Sequence, residues 1–257
     1  QISMEFGLMG PVFSVSSACA SSNHAIGLAF QMVRSGVAPR MLAGGAEAML
    51  NFGGLKAWEG LRLLSPDGCR PFSRARNGMV LGEGAGVFLL EPLDEARARG
   101  APILAEIAGC SLTADAGDLV QPSQAGAVTA MRAALADAGL AADAVGYVNA
   151  HGTGTRLNDQ TEAAALHTVF GADGPLVSST KAAHGHAIGA TGAIELLACL
   201  MALNDGVIAP TLGTDAGDIE GTLRLVTGQA ARADVGACLS NAFGFGGLNA
   251  VLALRRV

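Results

Sequence analysis

Short apolar runs of strand character alternate with longer helix-like runs through almost the whole chain of 257 residues. Strand-like stretches lie at 12–16, 41–44, 80–90, 103–110, 145–149, 176–178, 237–240 and 250–254. Helix-like stretches lie at 22–35, 93–99, 126–138, 159–170 and 192–204. Elements in this order bury their apolar faces by stacking in layers, so an α/β fold with helix-covered sheets is expected. The helix ends are marked locally. Gly36 and Gly139 resemble C-terminal stops, and Asp159 with Glu162 three residues on resembles a capping box. Glycines at alternate positions in Gly82-Glu83-Gly84-Ala85-Gly86 predict a strand pressed against another backbone. The irregular stretch 50–77 predicts a long excursion with one short helix.

Composition narrows the function classes. Half of the residues are hydrophobic and 36 are glycine, yet only 4% are aromatic, which fits a tightly packed core of small residues. A net charge of −6 argues against a nucleic-acid surface. The longest apolar helix candidate, 194–203, contains Glu195 and is short for a bilayer, so no membrane span is expected. No basic-then-apolar leader opens the sequence. The five cysteines form no Cys-x-x-Cys pair, and neither zinc spacing nor a disulfide framework is expected. A reducing, cytoplasmic setting fits this usage.

Among the cysteines, Cys19 has a distinctive place. It lies in Ser16-Ser17-Ala18-Cys19-Ala20-Ser21-Ser22, a run of small residues between an apolar β-like stretch and a helix. A thiol at such a junction sits near free N–H groups of a helix start, where the thiolate is favoured. Nucleophile elbows present their reactive atom in the same way. A buried, inert thiol is the competing reading.

Three further polar segments stand at apparent strand ends. They are Asn149-Ala150-His151-Gly152-Thr153-Gly154-Thr155, Ser179-Thr180-Lys181-Ala182-Ala183-His184-Gly185-His186, and Asn241-Ala242-Phe243-Gly244-Phe245-Gly246-Gly247-Leu248-Asn249. None matches a phosphate-binding glycine motif. One thiol, two histidines and a lysine suit acyl transfer through a thioester.

Together these strings resemble the β-ketoacyl-[acyl-carrier-protein] synthases, the elongating condensing enzymes. Ser17-Ala18-Cys19-Ala20-Ser21, His151-Gly152-Thr153-Gly154-Thr155, Lys181 through Gly185-His186, and Gly244-Phe245-Gly246-Gly247 carry the likeness in the family's order. Cys69-Arg70-Pro71-Phe72 and Asn77 through Gly86 extend it. The histidine motifs lean towards the nodulation protein E and polyketide-synthase branches.

The resemblance implies a thiolase-like α/β/α/β/α architecture with its N-terminal half truncated. Residues 1–92 would be the remnant of the half carrying the nucleophile, and residues 93–257 the half carrying the histidines, lysine and glycine-rich gating loop. It implies decarboxylative condensation of an acyl group on Cys19 with malonyl-carrier protein, in fatty acid or polyketide synthesis. His151 and His186 would assist decarboxylation, and Lys181 and Glu195 would orient them. The N–H groups of Cys19 and Phe245 would form an oxyanion hole, with Phe245 also gating the acyl pocket. Thr153 and Thr155 would bind the phosphopantetheine arm of an acyl carrier protein, and Arg62 would meet that carrier. A homodimer with no tightly bound cofactor and no metal is implied. Two positions depart from the pattern: Leu248 stands where threonine is usual, and His184 competes with His186. A non-catalytic chain-length-factor-like subunit and simple acyl transfer without decarboxylation are the alternatives. An exposed sheet edge and uncovered apolar surface are expected of the chain alone.

Overall fold

The alternation is realised in the computed structural model, which describes all of residues 1–257. A short helix α1 (Ile2–Phe6) is followed by α2 (Ser21–Arg34), β1 (Met41–Glu47), α3 (Phe52–Gly60), β2 (Gly84–Leu90) and α4 (Leu93–Ala98). Next come β3 (Glu106–Ala114), α5 (Gln124–Ala138), β4 (Tyr147–Asn149) and α6 (Arg156–Phe170). Then β5 (Leu176–Ser178), α7 (Lys181–His184) and α8 (Thr191–Asp205) follow. The small pair β6 (Val207–Ile208) and β7 (Ala231–Arg232) precedes the hairpin β8 (Ala237–Gly244) and β9 (Leu248–Arg255).

The main sheet has the order β3-β9-β8-β4-β5, antiparallel from β3 to β8 and parallel from β8 to β5. Both of its faces are apolar because helices cover both. Cys238, Leu252 and Leu254 pack towards α2 and α8, while their neighbours Leu239, Val251 and Ala253 pack towards α5 and α6. Helices α2 and α8 also pack on the antiparallel pair β1–β2. The layers therefore run β1–β2, α2 with α8, the main sheet, then α5 with α6. Close contact between them depends on small residues. A side-chain carbon at Gly86 would lie 3.0 Å from the Ala193 side chain and 3.1 Å from its carbonyl, so the glycine lets β2 approach α8 more closely than a side chain ordinarily allows.

Three expectations change. Residues 12–16 form no strand, and Val12 and Phe13 are exposed, because no neighbouring strand completes their hydrogen bonds. Helix α6 starts at Arg156 with Thr155 as its N-cap, so Asp159 and Glu162 do not form a capping box. Both carboxylates turn inward and are buried. The apolar helical stretch over Ile188–Asp205 is longer than expected, at 18 residues with mean hydropathy 1.3, enough by length and composition to cross a membrane. It is 61% buried between the two sheets, as a core helix is. The uncovered apolar surface is present: Leu42, Val87 and Leu89 point outward from β1–β2, and Ile2, Met4, Phe6 and Met9 are exposed.

Candidate active site

Cys19 sits in a single 3-10 turn, Ala18–Ala20, that leads into α2. Ala18 has φ +49°, a left-handed conformation that costs a non-glycine residue roughly 1–2 kcal/mol. Side chains brace the turn. The Ser17 N–H donates to Ser21 Oγ at 2.9 Å, Ser21 Oγ donates to the Ala18 carbonyl at 2.7 Å, and Ser17 Oγ pairs with His24 Nδ1 at 3.0 Å. The result is a sharp turn, braced on both sides of the thiol, from which Cys19 reaches the cavity. Met79, Leu81 and Ile188 pack around it.

The histidines reach the thiol from two other segments. His151 follows β4, and its N–H and that of Gly152 donate to the two oxygens of Glu162, both at 2.8 Å. Asp159 likewise accepts the N–H groups of Phe72 at 2.7 Å and Gly154 at 3.1 Å. These two acids, which the sequence pattern assigned to a helix cap, hold the His-Gly-Thr-Gly-Thr loop in place. His186 is fixed by backbone pairing: its N–H donates to the Val80 carbonyl at 2.7 Å, and its carbonyl accepts from Gly82 at 3.0 Å. Its Nδ1 shares a 2.8 Å hydrogen bond with Thr191 Oγ1, which leaves Nε2 without a partner. The rings of His151 and His186 meet edge to face, with centroids 5.5 Å apart. One ligand-type atom each from Cys19, His151 and His186 lies within 4.8 Å of the others, and all three residues are buried.

Burial sets the charge state of this trio. It pushes the Cys19 thiol up to about 11, against the pull of Lys181 and of the backbone N–H groups of Cys19 and Phe245. The thiolate expected from the helix start is thus outweighed by desolvation. Burial, reinforced by Lys181, holds both imidazoles well below their ordinary value, so both are neutral at pH 7. Lys181 itself is fully buried and paired with Glu195 at 2.7 and 2.8 Å. Burial raises the Glu195 carboxyl to about 7, while Lys181 pulls it down.

A cavity of about 340 Å³ leads to the thiol. Cys19, His151, His186, Thr153, Thr155 and Phe245 line it, and Arg62 contributes to its lining from an exposed position. The hydroxyls of Thr153 and Thr155 bond to each other at 2.8 Å. His184 is not among the lining residues; its ring bonds Thr180 Oγ1 and the Gly185 carbonyl. Of the two histidines, His186 is the one that lines the cavity beside Cys19. Asp115 bonds Asn249 at 2.6 Å and accepts the Ser123 N–H, tying the loop after β3 to the glycine-rich turn. Asp115 had no local signal, since its pairing joins the loop after β3 to the start of β9. A buried thiol beside neutral imidazoles and inward-facing N–H groups can form a thioester and stabilise an oxyanion next to it.

This four-layer fold and its thiol–imidazole site define a class, and the comparisons agree. The N-terminal domain of β-ketoacyl synthase matches residues 1–96, and its C-terminal domain matches residues 104–215. The chain belongs to the β-ketoacyl synthase family. Among curated relatives, nodulation protein E of Rhizobium sp. (strain N33) is 52% identical over 259 residues, covering 100% of this chain and 64% of the relative. The 3-oxoacyl-[acyl-carrier-protein] synthase 2 of Staphylococcus aureus (strain COL) is 40% identical over 265 residues, with 100% and 64% covered. A β-ketoacyl synthase structure from Burkholderia phymatum STM815 superposes with TM-score 0.96 at 38% identity, covering 100% of this chain and 64% of that one. A type II polyketide ketosynthase, solved with its acyl-carrier protein and bound to a hexaketide, superposes with TM-score 0.95 at 31% identity over 100% of this chain and 65% of that one. The fold is thus the thiolase-like fold of the ketosynthases. The chain spans 64% of the length of these curated relatives.

Proposed function

We propose that this chain carries the condensing site of a β-ketoacyl-[acyl-carrier-protein] synthase, acting in fatty acid or polyketide synthesis. The observation that carries this reading is the convergence of Cys19, His151 and His186 within 4.8 Å at the end of a cavity. Cys19 sulfur attacks an acyl thioester, and its proton leaves with the departing pantetheine thiol. The N–H groups of Cys19 and Phe245, which favour the thiolate, stabilise the tetrahedral oxyanion; such a donor contributes about 3–4 kcal/mol. Malonyl thioester then enters, and the C–CO₂ bond breaks to release CO₂ and an enolate. His151 and His186 donate hydrogen bonds to the enolate oxygen. Neutral imidazoles suit this, because the charge to be stabilised develops only in the transition state. The enolate carbon attacks the acyl-Cys19 carbonyl, the C–S bond breaks, and the departing Cys19 thiolate takes a proton from water to restore the resting thiol.

In this reading Lys181 and Glu195 keep the local field and orient the histidines. Thr153 and Thr155 bind the pantetheine arm, Phe245 gates the acyl pocket, and Arg62 meets an acidic carrier protein. The halves 1–92 and 93–257 supply the nucleophile and the histidines respectively, and the working form is a cytoplasmic homodimer. The complex of a structurally similar type II ketosynthase with its acyl-carrier protein supports the carrier as partner.

The test uses acyl- and malonyl-carrier protein, following Cys19 acylation by mass and CO₂ release. Cys19→Gln is expected to abolish acylation while malonyl decarboxylation persists. His186→Ala is expected to keep the acyl adduct and lose decarboxylation roughly a hundredfold or more. Absence of any adduct on the unaltered protein would favour a non-catalytic subunit, and an adduct without CO₂ would favour simple transfer.

A further inference from the structure

Trp58 is the only tryptophan in the chain. It lies on α3, near the elbow in space but 39 residues away in sequence (58 − 19 = 39). Its ring stacks on Phe245, with centroids 6.1 Å apart and 29° between planes, a geometry in the favourable offset range. Trp58 also packs against the apolar cluster of Cys19, Met79, Leu81 and Ile188. Phe245 lines the cavity but Trp58 does not, so Trp58 backs the phenylalanine from outside the substrate space. On the other side of Phe245 the backbone turns through two glycines. Gly246 and Gly247 have φ +81° and +68°, and the Gly246 N–H donates to the Leu119 carbonyl at 2.8 Å.

We propose that Trp58 is a positioning residue: by stacking on Phe245 it holds that residue's N–H aimed at the Cys19 sulfur. Without it, a loop hinged on two left-handed glycines has nothing aromatic to dock against, and the oxyanion donor loses its direction. The inference rests on the acyl-transfer reading above, and its test separates the two. Cys19 acylation from an acyl thioester develops an oxyanion at Phe245. Alkylation of Cys19 by iodoacetamide develops none. In Trp58→Leu, acylation is expected to slow roughly tenfold or more, while iodoacetamide labelling of Cys19, located by peptide mass, falls by less than about threefold, because alkylation draws on the Phe245 N–H only to favour the thiolate and develops no oxyanion. Trp58→Phe, which keeps an aromatic face, should restore most of the acylation rate. Equal acylation in Trp58→Leu and the unaltered protein would overturn the proposal, and so would a parallel fall in both reactions, which marks a loss of packing only. If the unaltered protein takes iodoacetamide but no acyl group, the acyl-transfer reading itself fails.

Discussion

Cys19 shows how burial overrides local sequence. A helix start and Lys181 both favour its thiolate, yet loss of water pushes the thiol up to about 11. At rest the sulfur therefore keeps its proton. Arg62 has the opposite character. It is exposed, contributes to the cavity lining, and holds a left-handed backbone at φ +55°. If it meets the carrier protein, Arg62→Ala should raise KM for carrier-bound substrate about two- to fivefold, the effect of one exposed ion pair. KM for the same acyl group on free pantetheine should stay unchanged. Steady-state kinetics with both substrates checks this, and an equal change in the two would remove Arg62 from the docking surface.

Elements place the histidines through close backbone contacts. The segment carrying His186 lies against 80–82, where Leu81 bridges to His186. Gly185 makes this possible: it has φ +75°, and a side-chain carbon there would sit 2.7 Å from the Leu81 carbonyl. Gly82 faces it, with the His184 carbonyl only 2.3 Å from a carbon placed at that position. Gly185→Ala should therefore destabilise by about 1–3 kcal/mol or more and lower decarboxylation more than Cys19 acylation. Gly139 is the control, since it has φ +63° but open space around it. Gly139→Ala should cost only the left-handed strain, about 1–2 kcal/mol, and leave both reactions unchanged. Denaturation midpoints and the two half-reactions test the pair. The alternate glycines of 82–86 had announced this close packing, because a missing side chain is visible in the sequence even when its neighbour is not.

For the molecule as a whole, buried ionisable groups make stability depend on pH. His151 and His186 are held neutral in the fold, whereas in the unfolded chain they take a proton near pH 6.5. Their contribution is therefore complete above that value and is lost as the pH falls below it. Asp159, Glu162 and Glu195 act in the other direction. Burial raises their carboxyls, so the fold takes protons before the unfolded chain does. The measurable quantity is a difference. Between pH 7 and pH 5, urea denaturation should show the unaltered protein losing stability relative to a His151→Gln, His186→Gln double variant. Parallel curves for the two would mean that the imidazoles are not buried neutral.

Much of this protein was legible in local strings. Alternating apolar periods announced the layers, and the motifs around Cys19, His151, Lys181, His186 and Phe245 named the chemistry, because side-chain type and spacing are properties of neighbours in the chain. The rest depended on segments that meet only on folding. No local pattern separates His184 from His186; the backbone pairing with 80–82 turns one to the thiol and the other away. Asp159 and Glu162 looked like a cap until burial turned them towards distant N–H groups. Residues 12–16 looked like a strand and found no partner. Trp58 carried no signal at all, since stacking on Phe245 joins positions 187 residues apart (245 − 58 = 187). Desolvation and contact distance arise from packing between remote segments, and so the charge state of Cys19 and the stacking of Trp58 on Phe245 were decided only there.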